Sequence, residues 1–209
     1  NDLQFVDTPG YLDFTGEVVM AARAADFAVI VVDAVEGVGV GTEKAWNIVR
    51  RENLPCLFFI NKLDKDNTDY AQTVDEIRQT LTKKATSLSM VEGTKVTNVL
   101  KHKDANPSFY NSIVEAVAES DDALCEKYLE SGSLDDKEVV GALNKAIINR
   151  QLFPVIGGVA LQSVGIDFLL DFIAEEMPAV GDTPARTARD KEDNEVMIEP
   201  KADSGSPVA

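Results

Sequence analysis

Short apolar runs and amphipathic stretches alternate along the first eighty residues. Apolar, β-branched segments at 3–6, 28–32 and 56–60 predict strands, and the 3.6-residue periodicity of 14–25, 42–52 and 70–81 predicts helices between them. Continuous apolar strands separated by amphipathic helices imply an α/β fold, a parallel sheet covered on both faces. Its crossovers are right-handed, and ligands bind outside the carboxyl ends of its strands. The alternation breaks after Leu81. Residues 83–107 are polar, with a short strand expected near 96–100, and helices are predicted at 108–118, 121–129 and 136–150. Asp135, with Glu138 three residues on, marks the start of the last of these. A buried strand returns at 152–157, followed by a helix at 166–176 that Pro178 ends. Residues 84–150 therefore read as a mostly helical insertion in the α/β domain. From Ala179 on, Pro184, Pro200, Pro207 and many charges read as a linker. No internal repeat is present.

Two motifs follow predicted strands. Asp7-Thr8-Pro9-Gly10 comes after 3–6 and Asn61-Lys62-Leu63-Asp64 after 56–60. An aspartate at a strand's end can hold Mg²⁺ through a bound water, because magnesium keeps much of its hydration shell. Gly10 lets a backbone N–H approach a γ-phosphate, and loss of that phosphate releases the loop. The Asp64 carboxylate can accept from guanine N1–H and the 2-amino group, a donor pair adenine lacks. The Asn61 amide can donate to the ring edge, and the Lys62 stem can lie along the base. The first motif alone is also a plain turn, and the second alone a polar strand end. Together, in this order, they point to guanine nucleotide binding. Gly37, Gly39 and Gly41 before a helix imitate a dinucleotide fingerprint. The position three after Gly39 is Thr42, however, so a flexible loop is the expected use of these glycines.

Composition narrows the picture. The 209 residues carry a net charge of −16, which excludes a major nucleic-acid anchor, since phosphate contacts need clustered Lys and Arg. Cys56 and Cys125 lack a Cys-x-x-Cys context and read as reduced thiols. His102, the single histidine, reads as a solvated loop residue. No apolar run approaches bilayer length, the longest being 27–32 and 54–60. The chain lacks an initial Met and starts inside a predicted strand, so a piece of a longer protein is expected.

With both motifs in place the sequence resembles the translational GTPases, most closely the elongation factor G family. Residues 7–14 resemble its switch II entry. Ala34-Val35-Glu36-Gly37-Val38 and Thr42-Glu43-Lys44-Ala45-Trp46 resemble the next strand-loop-helix. Residues 124–143 resemble the helical part of that family's insertion, and 154–171 its last strand, last guanine loop and final helix. The resemblance implies a P-loop NTPase-type parallel sheet with flanking helices, incomplete at the N-terminus. It divides the chain into a partial G domain (1–83 and 151–180), an insertion (84–150) and a linker (181–209) toward a β-barrel. It also implies GTP or GDP with Mg²⁺. Asp7, Thr8, Pro9, Gly10, Asn61, Lys62, Asp64, Val159, Ala160 and Leu161 would form the nucleotide site, with Asp7 assisting the metal through water. The N–H of Ala160 would reach the guanine oxygen. The implied setting is the cytoplasm and the implied partner the ribosome, through ribosomal RNA and stalk proteins, with neither membrane nor DNA. Tyr11 stands where the main members have a water-orienting His, and Val159 where they have Ser. A tyrosine of pKa ~10 is a poor base, yet its hydroxyl can position a water, and positioning dominates phosphoryl transfer. No Gly-x-x-x-x-Gly-Lys-Ser/Thr loop occurs in the chain, so the piece alone is expected to be inactive. Hydrolysis in translation by the parent is the leading expectation. The alternatives are a switch with little hydrolysis and a ribosome-protection or release-type GTPase.

Overall fold

The computed structural model describes residues 3–178, 181 and 185–198, apart from the side chains of Leu12 and Arg186. It divides into two units at Met177 and Pro178. In the first unit the elements run α1 (Thr15–Ala24), β1 (Ala28–Asp33), α2 (Val40–Arg51), β2 (Cys56–Asn61), α3 (Tyr70–Thr80), β3 (Ala85–Ser87), β4 (Ser89–Glu92) and β5 (Lys95–Asn98). They continue through α4 (Pro107–Ala118), α5 (Asp122–Ser131), α6 (Asp136–Ile148), β6 (Phe153–Gly157) and α7 (Ile166–Glu176). The second unit holds a hairpin of β7 (Arg186–Arg189) and β8 (Glu195–Ile198).

A four-stranded parallel sheet in the order β1-β2-β6-β3 carries the first unit. β2 is central and buried along Cys56–Ile60, which is why its sequence is apolar without alternation. Successive side chains still point to opposite faces. Phe58 and Ile60 join Trp46, Val49, Val74 and Ile77, from α2 and α3, on one face. Leu57 and Phe59 join Ile156, Val117, Leu143, Ile147 and Phe172 on the other. The Trp46 ring sits edge-on to Phe153, with centroids 4.9 Å apart.

Three expectations change. Residues 3–6 do not form a strand: Phe5 and Val6 are 62% and 67% exposed. β1 is an edge strand that pairs with β2 alone, and among the described residues no strand pairs with 3–6, so their apolar composition is not expressed as a ladder. Second, the sheet reaches past residue 83, because β3 pairs with β6 through Ala85↔Phe153. Helices α4 and α6 of the 84–150 segment supply Ile113, Val117, Leu143 and Ile147 to the core shared with Leu57 and Phe59. β3 escaped notice because it is only three residues long and contains Thr and Ser. Third, the expected linker holds the hairpin. Its turn is closed by the Asp190 carboxylate, which accepts from the N–H groups of Glu192 and Asn194, each at 2.9 Å. Pro184, Pro200 and Pro207 lie outside the described residues. Among the described residues no helix is long and apolar enough to cross a membrane.

The Gly37 region is a turn rather than a phosphate fingerprint. Gly37 has φ +68 and donates its N–H to the Asp33 carbonyl at 2.8 Å. At this φ glycine is favoured, and a Cβ there would also meet the Glu76 carboxyl, which would have to swing aside.

Candidate functional site: a rim where three strand ends meet

The carboxyl ends of β1, β2 and β6 lie side by side. Register sets Asp33 against Asn61 and Ile60 against Gly157. β2 ends at Asn61, and Lys62 then adopts φ +66, a left-handed backbone uncommon for a residue with a side chain. Around this corner the motif reaches both ways. The Asn61 Oδ1 accepts from the Ala160 N–H at 2.9 Å, tying β2 to the loop after β6. The Lys62 ammonium donates to Asp33 Oδ2 at 2.5 Å, tying β2 to the loop after β1. Leu63 is buried in the core, and its N–H points to the Gly158 carbonyl at 3.4 Å. Asp64 follows, with Oδ2 accepting from Gln162 Nε2 at 3.4 Å and lying 3.6 Å from Lys65 Nζ.

The loop after β6 is closed at its base. Gly158 N–H donates to the Ile60 carbonyl at 2.8 Å. Val159 and Val164 exchange both N–H···O bonds, at 2.9 and 3.1 Å. Between them runs a 3₁₀ turn, Ala160–Gln162, with Leu161 94% exposed. Two of the expected nucleotide-site residues make contacts within the protein here. Val159 is 1% exposed, so its side chain packs into the core and its N–H is spent on Val164. The Ala160 N–H, expected to reach a base oxygen, is donated to Asn61. Both residues brace the loop and leave Leu161 at its exposed tip.

Electrostatics divide the rim. Burial pushes the Asp33 carboxyl up, but the Lys62 ammonium and the Val35 N–H together outweigh it and hold Asp33 below its ordinary value. The hydrogen bond to Asp33 in turn raises Lys62. Asp33 Oδ1 accepts from the Val35 N–H at 2.9 Å, so this carboxylate is oriented by its own turn.

The first motif is different in kind. Asp7, Thr8, Pro9 and Gly10 are exposed, irregular backbone, and a Cβ at Gly10 would have nothing within 4 Å. Tyr11 is 79% exposed and precedes the short 3₁₀ turn Leu12–Phe14. Among the described residues no hydrogen bond joins Asp7–Gly10 to the Asn61 or Ala160 loops. Nor does any cluster of three or more His, Cys, Asp and Glu side chains there form a metal site.

The site residues that sequence reasoning missed are Asp33 and Gln162. Asp33 had a signal, an acidic residue ending an apolar strand on the ligand-binding edge of an α/β sheet. Gln162 had none, since its role depends on the loop folding back toward Asp64.

A parallel α/β sheet whose carboxyl-end loops converge on one rim, with an Asn-Lys-x-Asp corner at its centre, defines a domain of the P-loop NTPase type. Comparison with known proteins makes the class specific. The Elongation factor Tu GTP binding domain family matches residues 1–179, and the chain belongs to that family. Elongation factor G from Mycoplasma genitalium is 30% identical over an alignment covering 97% of this chain and 33% of the relative. The same protein from Mycoplasma pneumoniae gives the same identity and coverage. A crystal structure of a protein from Thermus thermophilus superposes with a TM-score of 0.75 at 30% identity, covering 86% of this chain and 31% of the other. The chain thus spans about a third of the length of the curated relatives it matches.

Proposed function

We propose that this chain is the guanine-reading part of a translational GTPase of the elongation factor G type. Its parent would bind GTP with Mg²⁺ and hydrolyse it while engaged with the ribosome. The observation that carries this reading is the three-loop rim, where Asn61 and Lys62 join the ends of β1, β2 and β6 and leave Asp64 beside the loop tip. With the Asn61 oxygen held by Ala160, its amide donors face a ligand's acceptors. Asp64 accepts from guanine N1–H and the 2-amino group, displacing the long contact to Gln162. A base without those donors leaves a desolvated carboxylate unpaired, which is the physical basis of discrimination. Leu161 closes over the ring.

At the phosphate end, Asp7 would hold magnesium through a bound water and Gly10 would offer its N–H to the γ-phosphate. Bound magnesium would neutralise charge developing on the phosphates. The Tyr11 hydroxyl orients the attacking water. Ribosomal RNA and stalk proteins are the partners proposed for the parent, with most of the affinity for RNA supplied outside this acidic chain. On this reading 1–83 and 151–180 belong to the G domain, with β3 (Ala85–Ser87) extending its sheet.

The test is Asp64→Asn in the full-length protein, where an acceptor becomes a donor. GTP affinity falls by ~10²-fold or more while xanthosine triphosphate binding improves. Unchanged GTP affinity would refute the assignment. Tyr11 in place of a histidine favours one second reading, a GTP-driven switch that hydrolyses little. Single-turnover cleavage with and without ribosomes separates the two, and absence of stimulation selects the switch.

A further inference from the structure

The ion pair between Asp33 and Lys62 joins two loops of the rim, but the reading above gives the Asp33 carboxylate no part in holding nucleotide. It lies on the ligand-binding rim rather than in the core. The Lys62 side chain is 51% exposed and that of Asp33 21%. A pair this wet adds little to folding stability, so structural support is a weak reason for its geometry. The geometry is nonetheless specific. Asp33 ends β1 directly opposite Asn61. Its Oδ1 is engaged by the Val35 N–H, which aims Oδ2 at the lysine. The turn behind it is locked by Gly37, whose N–H returns to the Asp33 carbonyl. Lys62 holds a left-handed backbone to present its ammonium to this carboxylate. The carboxylate is therefore fixed by its own turn, independently of the lysine it receives.

We propose that Asp33 is a positioning residue for nucleotide binding, holding the Lys62 side chain extended across the rim so that its aliphatic stem is preformed as a platform for the base. The proposal rests on the guanine-binding reading and adds a residue to that same site. Lysine has a long stem with many rotamers, and ordering it at the moment of binding would cost affinity. Asp33 orders it beforehand. It also holds the ammonium against the pull of Glu36, the other carboxylate whose charge acts on it.

The experiment is a double-mutant cycle in the full-length protein, reading GDP affinity and dissociation rate. Asp33→Asn is the informative variant. Its Oδ1 still accepts from the Val35 N–H, but its amide nitrogen cannot accept from an ammonium. The expected result is about tenfold weaker GDP binding through faster release, and less than a twofold further effect when Lys62 is already Ala. The melting temperature of the nucleotide-free protein moves little. Equal losses with and without Lys62 overturn the proposal. So does unchanged or tighter binding, which the removal of a negative charge near an anionic ligand would produce on its own. Should Asp33→Asn fold poorly, Asp33→Glu displaces the carboxylate by one methylene, and a loss confined to the Lys62-containing background is again required. The Asp64→Asn base switch, measured alongside, separates the two failures. If it switches preference while the cycle is additive, only the Asp33 proposal falls. If it has no effect, the guanine reading falls with it.

Discussion

At the scale of single residues, the rim depends on backbone closeness that only glycine permits. Gly165, at φ +77, ends the loop after β6, and a Cβ there would lie 2.4 Å from the Gly157 carbonyl oxygen. The clash is with backbone, so no side-chain rotation relieves it. Gly165→Ala should therefore destabilise the protein by ~2–4 kcal/mol in urea unfolding. A cost below ~1 kcal/mol would mean that the loop base yields more readily than its hydrogen bonds suggest. Residue chemistry also decides what the sequence could reveal. Asp64 and Asn61 were legible because their amide and carboxylate form a known spacing after an apolar strand. The bracing role of Ala160 was not, since it uses only a backbone N–H. Cys56 is likewise settled by structure: burial pushes its thiol well above the ordinary range, so it packs as a small apolar residue and does not react. Tyr70 is raised to about 12 by burial, while its hydroxyl satisfies Ser87 at 2.7 Å and the Val155 carbonyl at 3.1 Å.

At the scale of elements, periodicity located nearly every helix, because α2, α3, α4, α6 and α7 each bury one stripe in the core. α6 begins as its capping pattern foretold, with Glu138 accepting from the Asp135 N–H at 3.0 Å. Failures came where pairing, rather than pattern, decides. Residues 3–6 have strand composition without an adjacent ladder, and β3 has a ladder without strand composition. α7 carries a different tension. Glu175 and Glu176 sit at its carboxyl end, where the helix dipole is already negative. Burial raises the Glu176 carboxyl, and Glu175 adds to the effect. An acid whose folded pKa lies above its unfolded value binds its proton more tightly when folded. It therefore favours folding at low pH and opposes it once the pH passes the ordinary value of 4.5. Glu176→Gln should raise the melting temperature at pH 7, with the gain vanishing as the pH falls below that value. A gain that persists unchanged in acid would point to packing rather than charge.

At the scale of the whole molecule, architecture was legible because a parallel sheet covered on both faces imposes uninterrupted apolar strands on its centre. β2 reads so plainly because Phe58 and Ile60 serve one core while Leu57 and Phe59 serve the other. Less legible was how α4 and α6 of the 84–150 segment share that second core, while α5 buries no residue. Each of them looks, in isolation, like any amphipathic helix. Their common destination emerges only when Val117 of α4 and Leu143 and Ile147 of α6 meet Phe172 of α7 over the same strands.

The closed stem of the loop after β6 has a consequence for variation. With Val159 clasping Val164 and Gly165 seated on the Gly157 carbonyl, the span between them behaves as a hoop on a fixed collar. Added residues at Ala160–Gln162 would swell outward into solvent without levering on the strand. Natural relatives or designers can therefore resize the lip facing a ligand while the sheet beneath keeps its spacing.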